Sequence, residues 1–486
     1  MQKNERELTS LTSLYFRLLM AIVFLPFFFQ LAAAATDILE VSSVDVPQGA
    51  VILIVDGLSS SYLYPELVPY SLDGRVLPKV KSDNLSFIME QSCRVLDVRA
   101  PQTYTEAGHS VLVTGYTKAL SDSVSGSGTT IYDIAHEYGY YTFAVMQKGD
   151  SSAICSKQDV IIHDATNSIN EPEMLVITNI RDSGQKQIPL KVAALMQDSL
   201  PSLNEHLSGF PEGSQQRYDI YDNWAIDTAM DVMDHMQANY PEQHYLLTVN
   251  VGGVDSAGHY KKDKGYIDSI EGIDAACMDL YRKCEENNLA FIFVSDHGMA
   301  FPSPDSRGGH QAAKYSGTNE AQKVPFVISA SGIKDGVIEG SYGQEDIAPT
   351  ILEVLYLPDE LRLSDGKAIP FRDHTVLKVS VPQKGRLELI SNGETAYETM
   401  ANDDILLRGV ATGSSYIIRY TSEDGAIKYL EKEFFLEGSQ HIDLRTPQDA
   451  SKSDLFLRNP RYIIGSLLII AVNITGLLLI RKIMKE

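Results

Sequence analysis

Between residues 48 and 358, short apolar runs alternate with longer stretches whose apolar positions recur every three to four residues. AVILIV (50–55), YTFAVM (141–146), VIIH (160–163), LVI (175–177), YLLTVNV (245–251), AFIFV (290–294) and VPFVIS (324–329) read as strands. Most are apolar at nearly every position, the pattern of a mostly parallel sheet covered on both faces. Residues 219–238 and 267–286 read as helices. In the first, Ile220, Trp224, Ile226, Met230, Val232, Met233 and Met236 share one broad face, which assigns the methionines and the tryptophan to a core. The alternation predicts an α/β layered sheet flanked by helices.

The texture changes after Pro358. HTVLKVSV, GRLELIS, DILLRGV, SYIIRYT and LEKEFFL follow one another with turn-type GSS, EDG and EGS among the connections and no helical stretch. Short strands at this spacing predict a small β-sandwich over 373–446. It holds no cluster of His, Cys or paired acids of catalytic type, so a spacer or binding role is expected for it.

Two apolar stretches lie near the termini. LLMAIVFLPFFFQLAAAA (18–35) follows Arg17 and ends in a run of alanines, the order of a secretory signal or of an uncleaved anchor within 1–36. YIIGSLLIIAVNITGLLLI (462–480) carries no charge. As a helix it would span roughly 28 Å, near the thickness of a hydrocarbon core. Arg481, Lys482 and Lys485 follow, which favours a cytoplasmic tail over 481–486. The expected order is therefore an N-terminal signal or anchor, a catalytic domain (37–372), the β-sandwich, a linker (447–461), a transmembrane helix and the tail. The catalytic domain is expected outside the cytoplasm, at the cell membrane.

Composition narrows the partners. Asp and Glu outnumber Lys and Arg by 64 to 41, a net charge of −23, which argues against nucleic acid or an anionic surface as the main partner. Four cysteines (Cys93, Cys155, Cys277 and Cys284) form neither a CxxC nor a zinc spacing and leave room for at most an optional disulfide.

The candidate chemistry gathers where apolar strands run out. AVILIV ends in Asp56-Gly57, and an acid at the end of a parallel strand faces the crevice in which open α/β sheets bind ligands. YLLTVNVGGVDSAGH brings Asp255 and His259 four residues apart, a spacing able to grip one divalent cation. FIFVSDHGM ends in Asp296 and His297, and RGGH places His310 in a glycine-rich loop. Three strand-end acids and three imidazoles, in a chain with 11 His, point to a shared metal site. Mixed Asp/His ligation suits zinc or manganese. In APQTYTEAGHSVLVTG, Thr105 precedes an apolar helical stretch. A hydroxyl near a helix N-terminus sits where anions are attracted and, beside a metal, becomes a nucleophile. Threonine also caps helices, and spacing alone does not separate the two roles. Lys148 in FAVMQKGD offers a charge for a phosphoryl oxygen, and His109 a support for the loop of Thr105.

In this order, the five segments resemble the alkaline phosphatase superfamily, nearest to the nucleotide pyrophosphatase/phosphodiesterases and the cofactor-independent phosphoglycerate mutases. The likeness covers roughly 48–358. TEAGH resembles the mutases' Ser-Glu-x-Gly-His, and VLVTG the segment that follows the phosphodiesterases' nucleophilic threonine. The resemblance implies Asp255, His259 and His310 as ligands of one metal, and Asp56, Thr105, Asp296 and His297 as ligands of a second. No cysteine has the C/S-x-P-x-R context of the formylglycine sulfatases. The interval from Thr105 to Asp255 is shorter than in the mutases, which insert a large domain there.

The sequence thus predicts a membrane-anchored, extracytoplasmic hydrolase of phosphate esters. It would use two divalent ions, zinc or manganese, and a phosphothreonine intermediate. Its expected partners are a small-molecule, lipid or glycan phosphate ester and the membrane. Two alternatives are a phosphotransferase that modifies a lipid or glycan, and a surface binding protein on the same scaffold.

Overall fold

The computed structural model describes residues 37–148, 152–181, 187–427 and 430–445. The expected signal or anchor (1–36), linker (447–461), transmembrane helix (462–480) and tail (481–486) lie outside the described residues. Among the described residues, no helix is long and apolar enough to cross a membrane.

The central sheet is built from β1 (Gly49–Val55), β2 (Cys93–Arg99), β3 (Tyr141–Met146), β4 (Val160–Asp164), β5 (Met174–Thr178), β6 (Tyr245–Val251), β7 (Leu289–Val294), β8 (Phe326–Ser329) and β9 (Gly336–Gly343). Their spatial order is β9-β2-β8-β7-β1-β6-β3-β4-β5. β7, β1, β6, β3 and β4 run parallel to one another, as do β2 and β9. β8 lies antiparallel to both its neighbours, and β5 is antiparallel to β4. The sheet is therefore mixed: its centre and its β2–β9 edge match the parallel reading, while β8 and β5 run against their neighbours. A strand buried on both faces is apolar whichever way it runs, so composition carries no sign of direction.

Alternation along β1 divides the core. Val51, Leu53 and Val55 join one apolar cluster, and Ala50, Ile52 and Ile54 another on the opposite face. The first face is covered by helices that contribute Val192, Met196, Trp224, Met233, Cys277 and Leu280; the second receives Leu112, Val113, Ile347 and Ile351. Relevant to the site are α1 (Thr105–Thr114), α2 (Gln215–Asn239), α3 (Gly253–Tyr260), α4 (Lys262–Gly272), α5 (Asp274–Glu286) and α6 (Ile347–Val354). The single helix expected over 267–286 is split between α4 and α5. A side chain on Gly272 would meet the Asp219 carboxylate at 2.4 Å, so the chain turns where α2 approaches it closely.

Beyond Pro358, β10 (His374–Ser380), β11 (Gly385–Ser391), β12 (Glu394–Ala401), β13 (Asp404–Ala411), β14 (Ser414–Ser422), β15 (Leu430–Leu436) and β16 (Gln440–Asp443) form two sheets. β13, β10 and β16 are neighbours in one, and the other has the order β12-β11-β14-β15. Leu377, Val379 and Leu407 from the first share an apolar cluster with Leu387, Leu389 and Ile418 from the second. All four cysteines are buried, and no disulfide joins them.

Candidate metal centre

The parallel strands β7, β1, β6 and β3 are adjacent and end at the same edge, so whatever follows each strand meets its neighbours. Asp296 follows β7, Asp56 follows β1, Asp255 lies in the first turn of α3 after β6, and Lys148 lies two residues beyond β3. The three aspartates and His297 are buried, and His310 nearly so. His310 arrives on the long connection between β7 and β8, where the Ala300 and Gly309 backbones pair.

Thr105 is the first residue of α1, and the preceding Tyr104 gives the helix no side-chain cap. Thr105 Oγ1 lies 3.2 Å from His297 Nε2. That nitrogen is 3.2 Å from Asp296 Oδ2 and 3.6 Å from Asp56 Oδ1. His259 Nε2 is 3.0 Å from His310 Nε2, and the two lie 3.3 and 3.4 Å from Asp255 Oδ1. The rings of His297 and His310 stack with centroids 3.8 Å apart, which joins the two sets. Ligand atoms of Asp56, Asp296 and His297, and those of Asp255, His297 and His310, each fall within 4.8 Å of one another. His297 therefore stands between the two expected ligand sets instead of in one alone.

Lys148 Nζ donates to Asp255 Oδ2 at 2.6 Å. His109 lies behind the centre, with Nε2 3.8 Å from Asp296 Oδ2, and is 1% exposed. A side chain on Gly108 would meet Asp296 O at 2.6 Å, so glycine lets α1 lie directly on the Asp296 peptide.

Burial, with Asp296 and Asp255 adding to it, holds Asp56 well above the usual carboxylate range; burial raises Asp296 as well. Burial also works to raise Asp255, but Lys148, His259 and His310 overcome it and leave this carboxyl well below its ordinary value. Burial and then the neighbouring imidazole lower His310 to about 4; burial lowers His297 to about 4 as well. Both are neutral near pH 7, the form in which imidazole ligates.

These donors fit divalent cations. Both oxygens of Asp56, Oδ1 of Asp255 and Oδ2 of Asp296 are buried without a hydrogen-bond partner. Such orphaned carboxylate oxygens are costly unless a cation meets them. His310 Nδ1 donates to Thr103 O at 2.7 Å, His297 Nδ1 to Gly298 O at 3.1 Å and His259 Nδ1 to Gly308 O at 3.3 Å, which turns each Nε2 lone pair inward. Two such lone pairs, on His259 and His310, then meet at 3.0 Å and need a proton or a cation between them. Oxygen and imidazole donors together suit zinc or manganese.

Sequence reasoning missed several buried supports. Ser295 Oγ accepts the Leu58 N–H at 2.9 Å and donates to His297 O at 2.6 Å. Asp222 Oδ1 accepts the Gly253 N–H at 2.8 Å, and Gln147 Oε1 the Gly252 N–H at 2.8 Å. Gln344 Nε2 donates to the carbonyls of Ser295 and Asp296. None of these residues carries a sequence signal beyond being polar inside an apolar context.

A family model described as the metalloenzyme superfamily matches residues 216–359, which contain Asp255, His259, Asp296, His297 and His310. A 2,3-bisphosphoglycerate-independent phosphoglycerate mutase from Gloeobacter violaceus is 28% identical over 144 residues, 28% of this chain and 26% of that protein. A mutase of the same description from Antithamnion sp. is 25% identical over 228 residues, covering 43% of this chain and 42% of the relative. The chain thus spans less than half of these relatives' length. Among solved structures, the wild-type alkaline phosphatase PafA gives a TM-score of 0.47 at 12% identity, covering 68% of this chain and 99% of that one. Phosphonate monoester hydrolase SpPMH from Silicibacter pomeroyi gives 0.41 at 12% identity, with 86% and 95% covered. The family match and the mutase relatives fall on the segment that supplies most of the converging acids and imidazoles, so over residues 216–359 the chain is similar to proteins of the metalloenzyme superfamily.

Proposed function

We propose that this chain is a two-metal hydrolase of phosphate esters whose nucleophile is Thr105. The observation that carries the reading is the cluster of orphaned oxygens on Asp56, Asp255 and Asp296 around neutral imidazoles, with the Thr105 hydroxyl 3.2 Å from His297 Nε2. Relatives named as phosphoglycerate mutases, enzymes that move a phosphoryl group, support phosphorus as the reacting atom. In this reading Asp255, His259 and His310 hold one ion, and Asp56, Asp296, His297 and Thr105 the other, zinc or manganese in both cases. When bound, the ions supply Lewis-acid stabilisation and make hydroxyl groups acidic near neutral pH.

The chain's own groups do the rest. Thr105 Oγ1 gives up its proton and attacks phosphorus in line, and the departing ester oxygen takes up a proton to leave as an alcohol. Water then attacks the phosphothreonine, one water proton restoring the hydroxyl as phosphate (from a monoester) or a monoester (from a diester) is freed. The first turn of α1 turns backbone N–H groups toward the position that negative charge would occupy. Lys148, held at Asp255, contributes one positive charge to a pocket of three carboxylates, and its ammonium balances a phosphoryl oxygen. His109 supports Asp296 from behind. The 462–480 segment, by its length and the basic residues after it, would hold the enzyme at a membrane with the site outside the cytoplasm.

The test uses the purified full chain with zinc or manganese and a panel of phosphate mono- and diesters and sulfate esters. Turnover of a phosphate ester is expected, with phosphate trapped on Thr105 after an acid quench and located by mass spectrometry. Thr105→Ala should lower kcat at least about 10³-fold while Thr105→Ser retains part of it. Full turnover by Thr105→Ala would sink the nucleophile assignment.

A further inference from the structure

We infer that Gln344 is a positioning residue that fixes the Asp296–His297 corner against the helix carrying Thr105. Its side chain is fully buried, on a short turn (Gln344–Asp346) that leads into α6. Its amide donates to Ser295 O at 3.0 Å and to Asp296 O at 2.7 Å. These carbonyls leave the end of β7, where the sheet ladder stops and nothing in the strand can pair them. The same Asp296 carbonyl is the atom that Gly108 of α1 approaches so closely that a Cβ would stand 2.6 Å from it. One peptide oxygen is thus clamped between the amide of Gln344 and the helix whose first residue is Thr105.

The turn also braces the far end of α1. Gly115 closes that helix in a left-handed conformation with φ 66°, and a Cβ there would lie 3.0 Å from Glu345 O. Gln344 therefore sits at the junction of two elements that must keep their spacing if the Thr105 hydroxyl and the Asp296 and His297 donors are to face one another. Ser295 and the Gly57 N–H, which Asp296 Oδ1 accepts at 3.0 Å, tie the corner to β1. Gln344 ties the backbone of the corner to the turn before α6, while His109 and Thr105 of α1 face its side chains.

The inference rests on the metal-site reading above, and its test separates the two. Wild type, Gln344→Leu and Gln344→Met are titrated with Mn²⁺ alone, followed by electron paramagnetic resonance and calorimetry, alongside thermal melts of the metal-free proteins. Both substitutions keep the volume near that of glutamine and remove the donors. Wild type should bind Mn²⁺ in two classes. The variants should weaken one class by about 10- to 100-fold, the range for partners that orient a ligand, and leave the other unchanged. With substrate, kcat should fall and KM change little, because the perturbed group acts on geometry and not on substrate contacts. No binding by wild type would overturn the metal-site reading itself. Wild-type binding accompanied by an unchanged isotherm in either variant would overturn the role of Gln344 alone. Failure of both variants to fold would overturn it too, since it would assign the residue to the fold and not to the spacing of the site.

Discussion

Gly108→Ala sets two effects of comparable size against each other. Gly108 lies inside α1, where alanine is intrinsically favoured over glycine by about 1 kcal/mol. The added methyl would stand 2.6 Å from Asp296 O and 2.9 Å from Asp296 Cβ, whereas ordinary contact begins at 3.4 Å. Relief requires α1 and the Asp296 corner to part by the difference, about 0.8 Å. Overpacking of this kind costs about 1–3 kcal/mol, which leaves a net destabilisation of about 0–2 kcal/mol after the helix gain. The consequence for catalysis is larger, because Thr105 rides on the helix that moves. A misplacement of about 1 Å costs on the order of 10²-fold in rate, so kcat should fall roughly 30- to 100-fold with a nearly normal fold. Urea unfolding gives the first quantity, and steady-state turnover on the best ester of the panel gives the second. A variant about 1 kcal/mol more stable than wild type with full kcat would refute the reasoning, since it would mean that α1 does not press on Asp296.

Lys148→Met removes the only ammonium paired with Asp255 in the described structure, and breaking such a buried pair costs about 3–5 kcal/mol. Bound Mn²⁺ substitutes for the lost charge, so the melting temperature should drop far more in chelator than with the ion present; an equal drop under both conditions would count against it. Glu353, on α6, accepts the Ser439 N–H at 3.2 Å across the seam to the C-terminal sheets, and burial pushes it up to about 7 from 4.5. A carboxyl whose folded value is raised contributes most stability below its unfolded value and loses it as pH rises through 7. At about 1.4 kcal/mol per pH unit the loss approaches 3 kcal/mol. Glu353→Gln should therefore gain on wild type steadily between pH 4.5 and 7 in urea titrations, and a difference that does not change with pH would exclude this cause.

What the sequence revealed of the fold and site follows from how strands are buried. β1, β3, β6 and β7 are buried at every position, so they stood out as unbroken apolar runs with polar residues at their exits. β2 did not, although it lies inside the sheet, because CRVLDVR carries three charges. Those charges are paired locally: Arg94 with Glu66 at 2.6 Å, Arg99 with Asp97 at 3.3 Å and Asp97 with Lys323 at 3.1 Å. β9, on the edge, is mostly exposed and glycine-rich, and so lacked any apolar period. The ligand candidates were legible because carboxylates and imidazoles at strand ends are chemically distinctive. Ser295, Asp222 and Gln344 were not, since their work is done through backbone N–H and C=O groups that leave no trace in residue type.

Spatial order is the step that single strands cannot announce. Asp296, Asp56, Asp255 and Lys148 follow four strands that come in the chain order β1, β3, β6, β7 yet stand side by side as β7-β1-β6-β3. Neighbouring strands are about 4.8 Å apart, so four exits at one edge occupy roughly 15 Å, within which acid side chains and one lysine meet without bending the backbone. If β1 lay at either edge of the sheet instead of its centre, Asp56 could not neighbour both Asp255 and Asp296. The charge that gathers there, three aspartates against one lysine with His297 and His310 neutral, is a consequence of that order. A low-dielectric pocket with such an excess is stable only when cations or protons fill it, and the raised values of Asp56 and Asp296 are the protein's answer in the absence of cations.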